Sequence, residues 1–218
     1  MNAALAVWTS SLAWLTRPVY VAAGMPMSWG DLSGFATGIA CVWLAARANI
    51  WNFPFGIVNS AILGLVFVQQ RLFADASLQI VFIVLNARGL LEWRAGNVAE
   101  ESAPVFRSSR RQNWLLALWV VAITPVLWYA LGLLKGSAPL IDALVTSLSI
   151  AAQWLLNRRM LENWVWWIVV DLISIPLYVA RGLPLIAALY VVFLLICCQG
   201  FVRWRSLVAA PGTLEAAA

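Results

Sequence analysis

Asp171 stands inside an apolar run, Ile168-Val169-Val170-Asp171-Leu172-Ile173, with Trp167 four residues before it and Trp164 seven before it. On a helix that spacing puts all three on one stripe. Two indole faces and a carboxylate suit a flat polar ring, above all a cationic one, because aromatic faces attract cations and stack on planar heterocycles. Other readings of the same residues stay open. Indoles near a helix start anchor at the lipid–water boundary, and the carboxylate can cap a neighbouring backbone or pair with a loop arginine. Asn59, Gln79, Asn86 and Gln153 also lie in apolar runs, where a polar group is costly and needs a reason. Gln79 and Asn86 are two helical turns apart and share a face, which serves a binding site or an interhelical hydrogen bond equally well. Trp51, Phe53, Pro54, Phe55, Gly56 and Asn59 form a stretch that matches the Trp164 region earlier in the chain. Pro54 suits a helix start, and Gly56 permits close helix approach.

The missing residue types narrow the chemistry. The chain has no histidine, which removes histidine metal sites, triads and proton relays. Cys41, Cys197 and Cys198 all lie in apolar runs and read as small buried hydrophobes rather than a disulfide framework. No phosphate loop of the GxxxxGK[ST] kind occurs. No nucleophile or metal constellation points to an enzyme, and no cofactor or metal is expected. Among intramembrane acids, only something like Asp171 could support proton coupling.

The elements that must position these residues are membrane helices. Of 218 residues, 63% are hydrophobic and 11% charged, roughly half the charge of an ordinary soluble domain. A water-soluble core of this size cannot bury that much apolar surface. The apolar runs are long and continuous, so helices rather than the short alternating segments of a β-barrel are expected. The expected spans are residues 30–47, 52–70, 74–94, 114–134, 139–157, 163–180 and 184–204. Residues 3–23 are apolar but broken by Arg17 and Pro18, and read as an eighth span or as a helix lying in the interface. No charged segment followed by a cleavage site is present, so no removable signal peptide is expected.

Arginines mark the sides. Arg47, Arg94, Arg107, Arg110, Arg111, Arg158, Arg159, Arg203 and Arg205 fall on one side, and Arg17, Arg71, Lys135 and Arg181 on the other. The richer side is expected to be cytoplasmic, which gives an N-out, C-in core and a cytoplasmic loop over 95–113. The net charge of +5 then reports membrane topology, and no nucleic-acid partner is expected.

The chain also matches itself at a shift of 111 residues. Asp31 falls on Asp142, Trp43 on Trp154, Arg47 on Arg158, Asn52 on Asn163 and Leu72 on Leu183. Gly89, Trp93 and Arg94 fall on Gly200, Trp204 and Arg205, and Phe53 and Phe67 on Trp164 and Tyr178. Each copy holds three spans. The charge count puts both copies the same way up, so one further span must lie between them. The expected organisation is an N-terminal segment 1–29, repeat one over 30–94, a loop and linker helix over 95–138, repeat two over 139–205 and a cytoplasmic tail 206–218. This all-α, 3+1+3 membrane architecture with parallel repeats is a transporter arrangement, with its site between the repeats near the midplane.

Three stretches carry a family resemblance: Trp51-Asn52-Phe53-Pro54-Phe55-Gly56-Ile57; Arg71-Leu72-Phe73-Ala74-Asp75 with Leu78-Gln79; and Glu162-Asn163-Trp164-Val165-Trp166-Trp167-Ile168-Val169-Val170-Asp171 with Tyr178 and Gly182-Leu183. Over residues 30–205 the chain resembles the PnuC family of nicotinamide riboside transporters. The resemblance implies a 3+1+3 fold, similar to the SWEET sugar transporters but with full-length repeats, in a bacterial inner membrane. It implies a homotrimer that mediates facilitated uptake, with trapping by a separate intracellular kinase. Carried onto this chain, it assigns the substrate site to Trp164, Trp167 and Asp171, followed by Gln79, Asn86, Asn59, Trp51 and Tyr190. Asp171 replaces the asparagine expected in some members, and Asn86-Ala87-Arg88 replaces a more aromatic run. Relatives carry thiamine, riboflavin or nucleosides, so other vitamins stay open as substrates. A non-transporting membrane sensor or binding subunit is the alternative from another class.

Overall fold

The computed structural model describes residues 13–22, 24–69, 73–96, 104–133 and 139–208. Among them are seven α-helices: α1 (Trp29–Ala46), α2 (Asn52–Gln69), α3 (Phe73–Ala95), α4 (Arg110–Leu133), α5 (Pro139–Asn157), α6 (Asn163–Ala180) and α7 (Pro184–Leu207). Six are long and apolar enough to cross a membrane; α1, diluted by Asp31 and three glycines, falls outside that set. The protein is therefore a helical integral membrane protein.

Two boundaries differ from the sequence expectation for local reasons. Ala13–Thr16 form a single 3-10 turn, and strands β1 (Pro18–Ala22) and β2 (Met25–Ser28) pair as an antiparallel hairpin. The expected helix over 3–23 does not extend through this stretch, because proline cannot continue a helix; residues 3–12 and 23 of that expectation lie outside the described ones. Helix α4 starts at Arg110 rather than 114. Ser109 Oγ accepts from Gln112 N at 3.1 Å, and Gln112 Oε1 accepts from Ser109 N at 2.8 Å. This reciprocal cap begins a polar turn ahead of the apolar run. The same device opens α1: Asp31 N donates to Ser28 Oγ (3.2 Å) and Ser28 N to Asp31 Oδ2 (2.9 Å).

Six helices close into a ring. α2 packs between α1 and α3, α6 packs between α5 and α7, α1 meets α7, and α3 meets α5; α4 lies outside the ring, mainly against α5. Contacts in the first triple recur in the second. Arg47 lies 4.0 Å over the Trp43 ring, and Arg158 lies 4.3 Å over Trp154. Ala48 and Arg159 both take positive φ, 53° and 57°, in the turns after α1 and α5. There Asn52 Nδ2 donates to Asn49 O and Asn163 Nδ2 to Met160 O, each at 2.7 Å. Phe53 meets Trp93 edge-on at 5.1 Å, and Trp164 meets Trp204 at 5.5 Å. The two C-terminal tryptophans reach across: Trp93 Nε1 donates to Asn157 O in α5, and Trp204 Nε1 to Ala45 O in α1.

These rings form the main core, at one end of the bundle, with Ala45, Val105, Leu156, Leu161 and Cys197. A short strap before α4 covers that end. Val105 is fully buried and bridges to Val208, Phe106 exchanges backbone bonds with Arg159 and Leu161, and Ser108 N donates to Glu162 Oε2 at 2.7 Å. Burial lowers the proton affinity of the Arg159 guanidinium from its ordinary value. Gly200 is required by the core's closeness, since a Cβ there would stand 2.7 Å from Trp164 Cε2 and Cζ2. Gly200→Ala is expected to cost about 1–3 kcal/mol by overpacking against a rigid ring. Thermal unfolding in detergent reads this directly, and an unchanged midpoint would show that the seam has slack.

Candidate functional site

Midway along α6, Asp171 and Ser174 lie one turn apart, 2% and 0% exposed. Asp171 Oδ2 and Ser174 Oγ are buried with no hydrogen-bond partner among the described residues. Buried polar atoms are rarely left so; here the Tyr190 phenol stands against Ser174 and the Cys197 thiol against Asp171. The neighbour facing Asp171 is the Cys197 thiol of α7. Among the described residues Asp171 forms no ion pair; the loop arginine nearest in sequence, Arg181, instead binds Asp142 at 2.7 Å.

One turn further along α6, Tyr178 stacks on Tyr190 of α7, with centroids 5.1 Å apart and planes at 30°. Tyr190 meets Phe193 edge-on at 5.7 Å. Phe193 continues to α1 at Gly38, where a Cβ would stand 3.3 Å from Phe193 Cζ and 3.4 Å from Asn59 Nδ2. Glycine at 38 therefore lets side chains of α2 and α7 both approach α1 closely. Asn59 Nδ2 donates to Gly34 O at 2.6 Å and Thr37 Oγ1 at 3.0 Å. Four helices, α1, α2, α6 and α7, converge on this cluster, which spans the α1/α7 seam of the ring.

The other expected site residues are placed elsewhere. Trp164 is 1% exposed, its ring packed between Trp204 and Gly200, with its Nε1 unpartnered among the described residues. It is a core side chain in this conformation. Trp167 is half-buried and bridges the main core and a smaller cluster of Val120, Leu148, Ala151 and Val170. Gln79 and Asn86 face α2 at Gly64 and Gly56, and Asn86 Nδ2 donates to Phe82 O at 2.9 Å; both belong to the α2–α3 seam. Trp51 faces outward in the turn before α2. Gln153 binds Asn157 Oδ1, whose amide in turn donates to Leu85 O, tying α5 to α3. Cys197 is buried as expected, while Cys198, one residue round the helix, faces outward.

Sequence reasoning missed Ser174, Phe193 and Cys197. A signal was available for the first: the stripe Trp164, Trp167, Asp171 continues forward at the same spacing to Ser174 and Tyr178. A carboxyl and a hydroxyl one turn apart can take a pair of ligand hydroxyls or a cation, and the stacked phenols offer a flat apolar wall. Asp171 and Ser174 are buried in this conformation, while Asn59, Tyr178, Tyr190 and Phe193 are half-buried around them. A shallow apolar cavity of about 200 Å3 on α4, lined by Trp128, Tyr129, Gly132 and Leu133, contains none of these groups.

The model of the nicotinamide mononucleotide transporter family matches residues 28–206, which takes in all seven α-helices except the last residue of α7. The chain belongs to this family. It is a family of membrane transporters, not of enzymes, and the PnuC resemblance drawn from the sequence is borne out. Within it, the nicotinamide riboside transporter PnuC of Escherichia coli strain K12 is 29% identical over 209 residues, spanning 84% of this chain and 87% of that protein. The riboflavin/roseoflavin transporter RibM of Streptomyces davaonensis is 25% identical over 88% of this chain and 91% of its own length. The crystal structure of the vitamin B3 transporter PnuC shares the fold, with a TM-score of 0.70 and 24% identity over 95% of this chain and 93% of that one.

Proposed function

We propose that the protein carries nicotinamide riboside into a bacterial cell by facilitated diffusion, through alternating access at the α1/α7 seam. The observation that carries this is the cluster of Asp171, Ser174, Tyr178 and Tyr190, in which Asp171 Oδ2 is buried without a partner among the described residues beside two stacked phenols. The pyridinium ring would stack on the aromatic wall, and Asp171 and Ser174 would take the positive charge and the ribose hydroxyls. Asn59 closes the site from α2, and Trp167 lies one turn below Asp171. The names of the PnuC relatives support the substrate.

The recurring contacts of the two triples support a 3+1+3 architecture, with α4 as the linker span and a pseudo-twofold axis along the membrane normal. Arginine placement supports a cytoplasmic C-terminus. The outward apolar face of α4, with Trp114, Leu118, Val121 and Tyr129, is available to a homotrimer interface. Binding alone concentrates nothing, so net uptake relies on phosphorylation inside the cell by a separate kinase.

RibM favours a second reading, in which the flat ring is a flavin. Titration calorimetry of the detergent-purified protein with nicotinamide riboside, thiamine and riboflavin distinguishes these, followed by uptake into liposomes. Selective binding and uptake of nicotinamide riboside is the expected result. Selective riboflavin uptake would establish the second reading, and binding without uptake would make the protein a sensor or binding subunit.

A further inference from the structure

We propose that the protein binds anionic phospholipid at two related places, one where each seam between the triples reaches the strap end of the bundle, with paired arginines taking the lipid phosphate. Arg47 and Arg158 directly follow α1 and α5. Each guanidinium lies over an indole four residues earlier in the chain, 4.0 Å from the centre of Trp43 and 4.3 Å from that of Trp154. Stacking occupies the face of a guanidinium and leaves its N–H edges, which match phosphate oxygens as a fork, available to a ligand.

A second arginine comes to each seam from the other triple. Trp204 Nε1 of α7 donates to Ala45 O of α1, which brings Arg205, the next residue of α7, to the end of α1. Trp93 Nε1 of α3 donates to Asn157 O of α5, which brings Arg94 to the end of α5. All four arginines are exposed, and none forms an ion pair among the described residues. The described carboxylates at this end are engaged elsewhere: Glu92 holds Arg88 at 2.7 Å, and Glu162 accepts from Ser108 N at 2.7 Å. Both seams are thus left with uncompensated positive charge. Trp43 is 43% exposed, and an indole at the end of a membrane helix lies at the lipid–water boundary. The anion met at that level is the phosphate of a lipid headgroup, with its acyl chains running past the indole. A choline headgroup sets its own positive charge against two guanidiniums, so phosphatidylglycerol is favoured over phosphatidylcholine. A phosphate that takes both arginines of a seam joins α1 to α7, or α5 to α3.

The test is native mass spectrometry of the full protein, released from detergent micelles that hold equal amounts of phosphatidylglycerol and phosphatidylcholine. The expected spectrum keeps two phosphatidylglycerol molecules per chain, with about tenfold selectivity over phosphatidylcholine. Arg47→Gln and Arg158→Gln should each lose one of them, and the double variant both. Arg205→Gln and Arg94→Gln, on the facing helix of each seam, repeat the test independently should either of the first pair fold poorly. Added phosphatidylglycerol should raise the melting midpoint of the native protein and leave that of the double variant unmoved. Equal retention of the two lipids, or phosphatidylglycerol held undiminished by the double variant, would overturn the proposal. An equal rise in midpoint with inorganic phosphate alone would reject the lipid and leave a site for free phosphate.

Discussion

Exchanging Asp171 for alanine is expected to lower nicotinamide riboside affinity by about 10- to 100-fold and to leave the yield of folded protein unchanged. The magnitude follows from the interaction removed. A hydrogen bond or contact to a charged partner contributes about 1.5–3 kcal/mol, and each tenfold in affinity corresponds to about 1.4 kcal/mol. The expectation for folding follows from what Asp171 does in the empty protein: it forms no ion pair among the described residues, and one of its oxygens is buried without a partner. Its removal therefore takes little from the fold. Titration calorimetry on monodisperse variant and wild type measures the first effect, and gel filtration in detergent measures the second. Wild-type affinity in the variant would move the site away from α6.

Trp164→Ala has the opposite signature. The ring is buried against Trp204 and Gly200 in the main core, and truncating a buried tryptophan costs about 3–5 kcal/mol. The variant should melt far below wild type in detergent and yield little folded protein, with Trp164→Phe recovering part of the loss through its remaining ring. If Trp164→Ala instead melts like wild type and loses only ligand binding, then the indole is a wall of the substrate site and not a strut.

The helices were legible because lipid leaves long apolar runs no other solution, and most of their ends stand within a few residues of the expected spans. The exceptions follow local chemistry that hydropathy does not record. Ser109 and Gln112 cap α4 a turn before its apolar run, and Pro18 and Pro26 sit in a hairpin where an apolar segment had looked helical. The self-match at 111 residues identified pairs whose structural roles do recur, such as Trp93 with Trp204 and Asn52 with Asn163. The candidate site was legible only in part. Asp171 stood out because a carboxylate in an apolar run is costly, and Tyr190 followed from the family. Tryptophan marks the stripe toward Trp164 more strongly than serine marks it toward Ser174. Which end of a stripe is core and which is site depends on what the neighbouring helices present. Gly200 lets Trp164 sink inward, whereas Tyr190 and Cys197 face Asp171; a single helix does not report this.

The crossed tryptophan bonds have a mechanical meaning. Each triple grips the other's first helix at its last carbonyls, and both grips sit at the same end, beneath the strap. The bundle is built like tongs riveted at one tip. Spreading the free tip leaves the rivets untouched, whereas spreading the riveted tip exposes Trp93, Trp164, Trp204 and Phe53, the four largest fully buried side chains described. Parting the two triples therefore meets unequal thresholds at the two ends of the bundle, and in the proposed cycle the slower face would be the one that holds the rivets.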